Sequence, residues 1–269
     1  MRCAGLFLVE LSNARRLSMS HLGTNHTKKK LAAGDAVPVL GNIECPEFLD
    51  LVGSMGIEAV WLEAEHGGVD FGDIGNLTRA CDLWGVTSLV RVGRAEANTI
   101  YRTLDRGCQG IIVPHVNTRE QAELVVDSAK FTPIGHRGSY TSRRGYGRSD
   151  YYQTANDETM VVVMIEDPLG IENLDDILEV DHIDVFFVAP GDLAQEMGHL
   201  GNPGHPEVVA KVDETLARII AAGRVAGTTS SVENVDRLIA AGVQFPYISI
   251  KQILASGIRE YQAIVEAVT

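Results

Sequence analysis

Residues 105–113 read Asp105-Arg106-Gly107-Cys108-Gln109-Gly110-Ile111-Ile112-Val113. A polar helix end passes through a glycine into a short, uninterrupted apolar run. The glycine stands where a left-handed helix C-cap is wanted, and an apolar run without polar alternation is the mark of a strand buried on both faces. The same order recurs as SMGIEAV at 54–60, LWGVTSL at 83–89, AAGRVAG at 221–227 and AAGVQFPYI at 240–248. Each is read as helix end, glycine, strand, the unit of a parallel α/β fold.

Working outward, apolar runs fall at Val37–Leu40, Ala59–Leu62, Thr87–Arg91, Gly110–Val113, Met160–Ile165, Val185–Val188, Arg224–Gly227 and Tyr247–Ile250. Amphipathic segments lie between them, among them Pro46–Ser54, Phe71–Leu83, Ala97–Arg106, Arg119–Ala129, Glu207–Ala222 and Val232–Ala241. Eight runs suit a closed (β/α)8 TIM barrel better than an open sheet, and a chain of 269 residues is a routine length for one. We expect the barrel over 25–269 and an N-terminal extension over 1–24. The interval 131–158, rich in Gly, Arg, Ser and Tyr, breaks the rhythm and reads as a long loop carrying either function or an assembly surface.

The chain holds 36 acidic against 23 basic residues. Binding to a nucleic-acid backbone rests on Lys and Arg neutralising phosphates, so nucleic acid is a poor partner. Cys3, Cys45, Cys81 and Cys108 form no CxxC pair, which argues against structural zinc and a disulfide framework and for a reducing, cytoplasmic setting. The apolar N-terminal stretch Ala4–Leu11 is interrupted by Glu10, and no run reaches the ~18 apolar residues that a membrane helix needs.

In such barrels the chemistry sits at the carboxyl ends of the strands. Here those ends carry Glu63-Ala64-Glu65-His66, Arg91, Pro114-His115, Glu166-Asp167 and Ala189-Pro190-Gly191-Asp192. Glu166 and Asp192 are one strand–helix unit apart, and two converging carboxylates are hard oxygen ligands suited to Mg2+ or Mn2+. Helix N-cap acids, or a glycosidase-like acid and base pair, would also give such residues, but the second leaves Arg91 unexplained. His66 is a candidate proton shuttle near neutral pH. An Arg at a buried strand end wants an anion, either a substrate or the neighbouring Glu63 or Glu65. Lys251 is the one lysine placed for a Schiff base, although ISIKQILASG at 248–257 also reads as the start of the last helix. No GxGxxG, P-loop or GxSxG motif is present, which leaves nucleotide and hydrolase-elbow readings unsupported.

Glu65-His66-Gly67, Arg91, GIIVPHVNT at 110–118, Gly135-His136-Arg137-Gly138, Glu166 and VAPGDLAQEMGHLGNPGHPEV at 188–208 together resemble the HpcH/HpaI aldolase family, from about Lys28 to the C-terminus. These are class II pyruvate aldolases related to 4-hydroxy-2-oxoheptanedioate and 2-dehydro-3-deoxyglucarate aldolases and to macrophomate synthase. The resemblance implies that Glu166 and Asp192 bind a divalent metal, Mg2+ or Mn2+ with Co2+ as a further option. It implies His66 as general base, Asp105 as the aspartate supporting that histidine, and Arg91 as the residue stabilising the enolate. Pro190 and Gly191 match the turn that holds the pyruvate carboxylate, and His115 resembles an extra histidine of the macrophomate-synthase-like members. The implied assembly is a homo-oligomer, trimer or hexamer, with the C-terminal helix exchanged between barrels. Glu63 replaces the family's usual aspartate, and Met164 replaces a glutamine.

The implied reaction is cleavage or formation of 4-hydroxy-2-oxo acids. His66, directly or through a water, takes the 4-hydroxyl proton; the C3–C4 bond breaks; pyruvate and an aldehyde result. Thr228–Ser231 are placed to favour a hydroxylated aldehyde. Two competing readings are a citrate-lyase-β-like lyase of acyl-CoA, whose phosphates would need the basic residues of 137–148, and a weakened barrel that binds a 2-oxo acid without turnover.

Overall fold

A computed structural model describes residues 23–267, so most of the expected extension, residues 1–22, lies outside the described residues. The eight strands are β1 (Val39–Gly41), β2 (Ala59–Glu63), β3 (Thr87–Arg91), β4 (Gly110–Val113), β5 (Met160–Ile165), β6 (Val185–Val188), β7 (Ala226–Thr229) and β8 (Phe245–Ser249). They close in sequence order into a parallel barrel, β8 returning to β1 with Val39 opposite Tyr247 and Gly41 opposite Ser249. The chain is a (β/α)8 TIM barrel.

Alternation along the strands sorts the core into two shells. Val39, Ala59, Trp61, Leu89, Ile112, Met160, Val162, Met164, Phe187 and Phe245 form one cluster inside the barrel. Leu40, Val60, Leu62, Val90, Ile111, Val113, Val161, Val163, Ile165, Phe186 and Val188 form another between the sheet and its helices. Burial on both faces is why the strands carry no polar alternation. Glycine makes space for a ring inside the barrel: a Cβ on Gly41 would lie 2.2 Å from Cε2 of Tyr247, so glycine there lets the phenol ring cross the barrel.

The helices are α1 (His26–Ala32), α2 (Pro46–Ser54), α3 (Ile74–Trp84), α4 (Ala97–Asp105), α5 (Arg119–Ala129), α6 (Tyr151–Glu158), α7 (Pro168–Glu172), α8 (Leu174–Leu178), α9 (Pro190–Glu196), α10 (Pro206–Ala221), α11 (Val235–Ala240) and α12 (Ile250–Glu266). The five glycines read as helix stops, Gly56, Gly85, Gly107, Gly223 and Gly242, all have positive φ. β8 starts two residues earlier than its sequence reading, because Pro246 is accommodated opposite Thr228 in the ladder. β7 sits later than its reading, at Ala226–Thr229, and β1 likewise starts later, at Val39.

The segment 131–158 is not wholly a loop. It holds a 3₁₀ turn at Arg143–Gly145 and helix α6. It joins the end of α5 to the start of β5, so it covers the amino end of the barrel, away from the strand mouths. Buried Lys130 anchors it by donating to the carbonyls of Asn156 (2.7 Å) and Thr159 (2.5 Å). At the other extreme, α12 starts directly from β8 with a capping box between Ser249 and Gln252, and none of its residues is buried.

Candidate active site at the carboxyl mouth of the barrel

The strand parity that points Trp61, Leu89, Val162 and Met164 into the barrel continues past the last apolar layer to Glu63, Arg91 and Glu166. These three polar residues therefore crown the interior rather than facing the helices. Glu63 is 5% exposed and Glu166 1% exposed, so each must find partners inside the protein.

Glu63 is fully engaged. Its Oε2 accepts from Trp61 Nε1 (3.1 Å) and Arg91 Nε (2.7 Å). Its Oε1 accepts from the backbone N–H groups of Glu65 (2.9 Å) and His66 (3.1 Å). The carboxylate that departs from the family's aspartate thus builds the turn carrying His66 and fixes Arg91. Arg91 makes a second ion pair, Nη1 to Glu65 Oε2 at 2.9 Å, lies 5.7 Å over the Trp61 ring and meets Met164 Sδ at 3.9 Å. The guanidinium expected to await a substrate anion is therefore already held by Glu63 and Glu65. Burial pushes the Glu65 carboxyl up, against the pull of Arg91.

Glu166 shows the opposite condition. Its Oε1 accepts from the backbone N–H of His115 at 2.8 Å, which is possible because His115 has a left-handed backbone with φ of 53°. Its Oε2 is buried and has no hydrogen-bond partner. Burial, with the charge of Asp192 adding to it, pushes the Glu166 carboxyl up to about 7. Asp192 lies in the first turn of α9, after Pro190 and Gly191. A buried carboxylate oxygen with no donor, within reach of the charge of a second carboxylate, is chemistry that a cation would satisfy. An all-oxygen pair fits a hard divalent ion, so these two residues suit the metal that the sequence implies.

His115 is tied to the same acids, with Nδ1 3.0 Å from Asp167 Oδ2 and 3.5 Å from Glu166 Oε1. Burial works against its charged form, but the Asp167 hydrogen bond and the surrounding carboxylates overcome that and raise its pKa. Asp167 also accepts from Asn117 Nδ2 at 2.7 Å. The His66 ring is largely exposed at the rim, with Nε2 3.7 Å from Glu65 Oε2.

The other candidate residues take the following places. Asp105 does not reach His66 within one chain. It is the last residue of α4, which runs back from the mouth, so it lies at the amino end, where Oδ1 holds Nη2 of buried Arg137 at 2.7 Å. The acid beside His66 is Glu65. Thr228 and Ser230 do not offer free hydroxyls to a substrate, since they donate to the carbonyls of Val188 and Tyr247 at 2.9 Å each. Lys251 is exposed in the first turn of α12, outside the barrel interior. The basic residues of 137–148 also lie at the amino end, paired with Asp105, Asp82 and Asp150.

Sequence reading passed over Tyr247 and Asn42. The Tyr247 hydroxyl donates to Asn42 Oδ1 at 3.1 Å, its ring packs tilted at 59° against Trp61 with centroids 4.9 Å apart, and burial pushes its phenol up to about 12. The signal was the inward parity of β8, which the late placement of that strand concealed.

A parallel barrel with carboxylates, an arginine and histidines converging at its carboxyl mouth is the architecture of an enzyme. Residues 43–254 match the HpcH/HpaI aldolase/citrate lyase family. A hydroxypyruvate/pyruvate aldolase of Cupriavidus necator is 33% identical over 250 residues, 88% of this chain and 93% of the relative. A 2-keto-3-deoxy-L-rhamnonate aldolase of Salmonella gallinarum is 30% identical over 242 residues, 88% and 91% of the two chains. A family member from Burkholderia cenocepacia superposes with a TM-score of 0.84 at 27% identity, covering 91% of this chain and all of that one. The chain belongs to the HpcH/HpaI aldolase/citrate lyase family.

Proposed function

We propose that the chain is a divalent-metal-dependent aldolase that cleaves or forms 4-hydroxy-2-oxo acids by way of a pyruvate enolate. The observation that carries this reading is the unpartnered, buried Oε2 of Glu166, whose carboxyl feels the charge of Asp192. Glu166 and Asp192 would hold Mg2+ or Mn2+, with Co2+ as a third option. When bound there, the cation supplies Lewis-acid polarisation of the 2-oxo group and stabilises the charge that develops on bond cleavage.

The chain's own groups do the rest. The first-turn N–H groups of Gly191 and Asp192 have no intrahelical acceptor and receive the substrate carboxylate, with Pro190 setting the turn. Arg91 faces the developing enolate oxygen, its orientation set by Glu63 and Glu65, so its charge is preorganised before reaction. His66 Nε2, beside Glu65, takes the 4-hydroxyl proton. The C3–C4 bond then breaks with its electron pair left on the enolate, the aldehyde departs, and a proton delivered to C3 gives pyruvate. His115 and Asp167 hold the Glu166 side of the mouth and border the substrate.

The sugar-acid aldolase among the relatives supports a hydroxylated aldehyde as partner, with specificity set by residues other than Thr228 and Ser230. Unpaired Cys45, Cys81 and Cys108 support a reducing cytoplasm, and no helix of the described residues is long and apolar enough to cross a membrane. The helix α12, which has no buried residue and bears exposed Leu254, Ile258, Tyr261 and Val265, supports exchange of this helix between barrels in a homo-oligomer.

A coupled assay for pyruvate release from a panel of 4-hydroxy-2-oxo acids tests the reading. Activity should vanish in EDTA, return with Mg2+ or Mn2+, and be lost in Glu166→Ala and Asp192→Ala. Full turnover in EDTA overturns it.

A further inference from the structure

The loop between α9 and α10 gathers a second group of ligating side chains. His199, His205 and Glu207 each offer one ligand atom, and these atoms all lie within 4.8 Å of one another. We propose that these three residues form a metal site separate from the mouth, suited to a borderline transition ion of the zinc class.

Donor chemistry separates the two sites. Two imidazoles and one carboxylate make a zinc set that leaves a position for water, whereas the oxygen-only pair of Glu166 and Asp192 suits hard ions. Position separates them as well, because α9, at ~1.5 Å per residue, stands between Asp192 in its first turn and the loop at its far end.

The ligand atoms are gathered, but the stacked rings hold their in-plane lone pairs in nearly parallel planes, so one imidazole swings out of the stack for both to meet one ion. The two imidazole rings stack at 3.6 Å with an interplanar angle of 14°, and His199 Nε2 stands 3.1 Å from Glu207 Oε2. His205 Nδ1 accepts from the backbone N–H of Glu207 at 3.3 Å, so that nitrogen presents a lone pair, the form required of a ligand. That contact is long for a hydrogen bond, and an ion in its place would remove little. The loop backbone is braced: His199 N–H donates to the Ala194 carbonyl (2.7 Å), Asn202 N–H to that of His199 (2.9 Å) and His205 N–H to that of Asn202 (3.0 Å). An ion bound here ties the end of α9 to the cap of α10 and so steadies the helix that carries Asp192.

Calorimetric titration of the tag-free, full-length protein with ZnCl2, in saturating Mg2+ to fill the mouth, tests this. One zinc ion per chain is expected. His199→Gln and Glu207→Gln, both solvent-accessible changes, should each weaken binding by more than about tenfold, with circular dichroism confirming the fold. Glu166→Gln should leave zinc binding unchanged. No zinc uptake in Mg2+, undiminished uptake in both loop variants, or loss in Glu166→Gln alone would each overturn the proposal.

Discussion

Glu63 and Glu166 are both glutamates crowning the barrel interior, and their surroundings give them opposite tasks. Glu63 accepts four hydrogen bonds, from Trp61, Glu65, His66 and Arg91, and has no lone pair to offer an ion. It acts as a positioning residue, the longer side chain reaching the Arg91 guanidinium and the His66 turn together. Replacing it by Gln keeps the size but removes the charge facing Arg91 and turns an acceptor into a donor. Glu63→Gln should lower kcat by about tenfold or more through misplacement of His66 and Arg91, and cost about 1–3 kcal/mol of stability. Steady-state kinetics with thermal unfolding checks both, and an unchanged kcat with a lowered Tm would show a structural role alone. Glu166 has one buried oxygen without a donor, the position that the proposed cation would fill.

At the scale of elements, α12 is the part that the single chain does not explain. Its apolar residues Leu254, Ile258, Tyr261 and Val265 recur at helical spacing and are all exposed, a stripe that normally lies against another surface. Light scattering after size exclusion should report an oligomer. The double substitution Leu254→Glu with Ile258→Glu should dissociate it without melting the barrel, and an unchanged mass would show that α12 is not the contact.

Most elements were legible because the strands of a doubly covered sheet are uniformly apolar and their helices stop at glycine. Three strands slipped: β1 starts two residues later than Val37, β8 holds Pro246, and β7 is Ala-Gly-Thr-Thr, where a small interior residue leaves no apolar signal. The acids and bases of the mouth were legible from strand ends, since parity and the last apolar residue fix where the interior opens. The Arg91 partners and the unpartnered Glu166 oxygen were not, because hydrogen bonding at a turn depends on backbone shape, as at left-handed His115. The place of Asp105 was hidden for a further reason: as the last residue of α4 it lies at the amino end of its own barrel.

Over the whole molecule, the mouth and the amino end have separate electrostatics. At the mouth, Glu63 and Glu65 pair with Arg91, and Glu166, Asp167 and Asp192 add further carboxylates, so the proposed cation would offset a surplus of negative charge before an anionic substrate binds. At the amino end, burial lowers the Lys130 ammonium to about 7. Since the unfolded chain keeps that proton up to about 10.5, it binds more protons than the native state between those values. Lys130 should therefore make the protein more stable as pH rises from about 7 towards 10. Chemical denaturation across that range should show the rise in the native protein and a flatter profile in Lys130→Met; equal slopes would contradict the assignment.

The central claim is that Glu166 and Asp192 make the barrel an enolising enzyme through a bound cation. Proton NMR of pyruvate in D2O with catalytic protein and Mg2+ reads it directly, without knowledge of the aldehyde. The methyl signal should decay by deuterium exchange, stop decaying in EDTA, and slow by about a hundredfold or more in Glu166→Gln. Exchange at the native rate in EDTA or in Glu166→Gln would contradict the account.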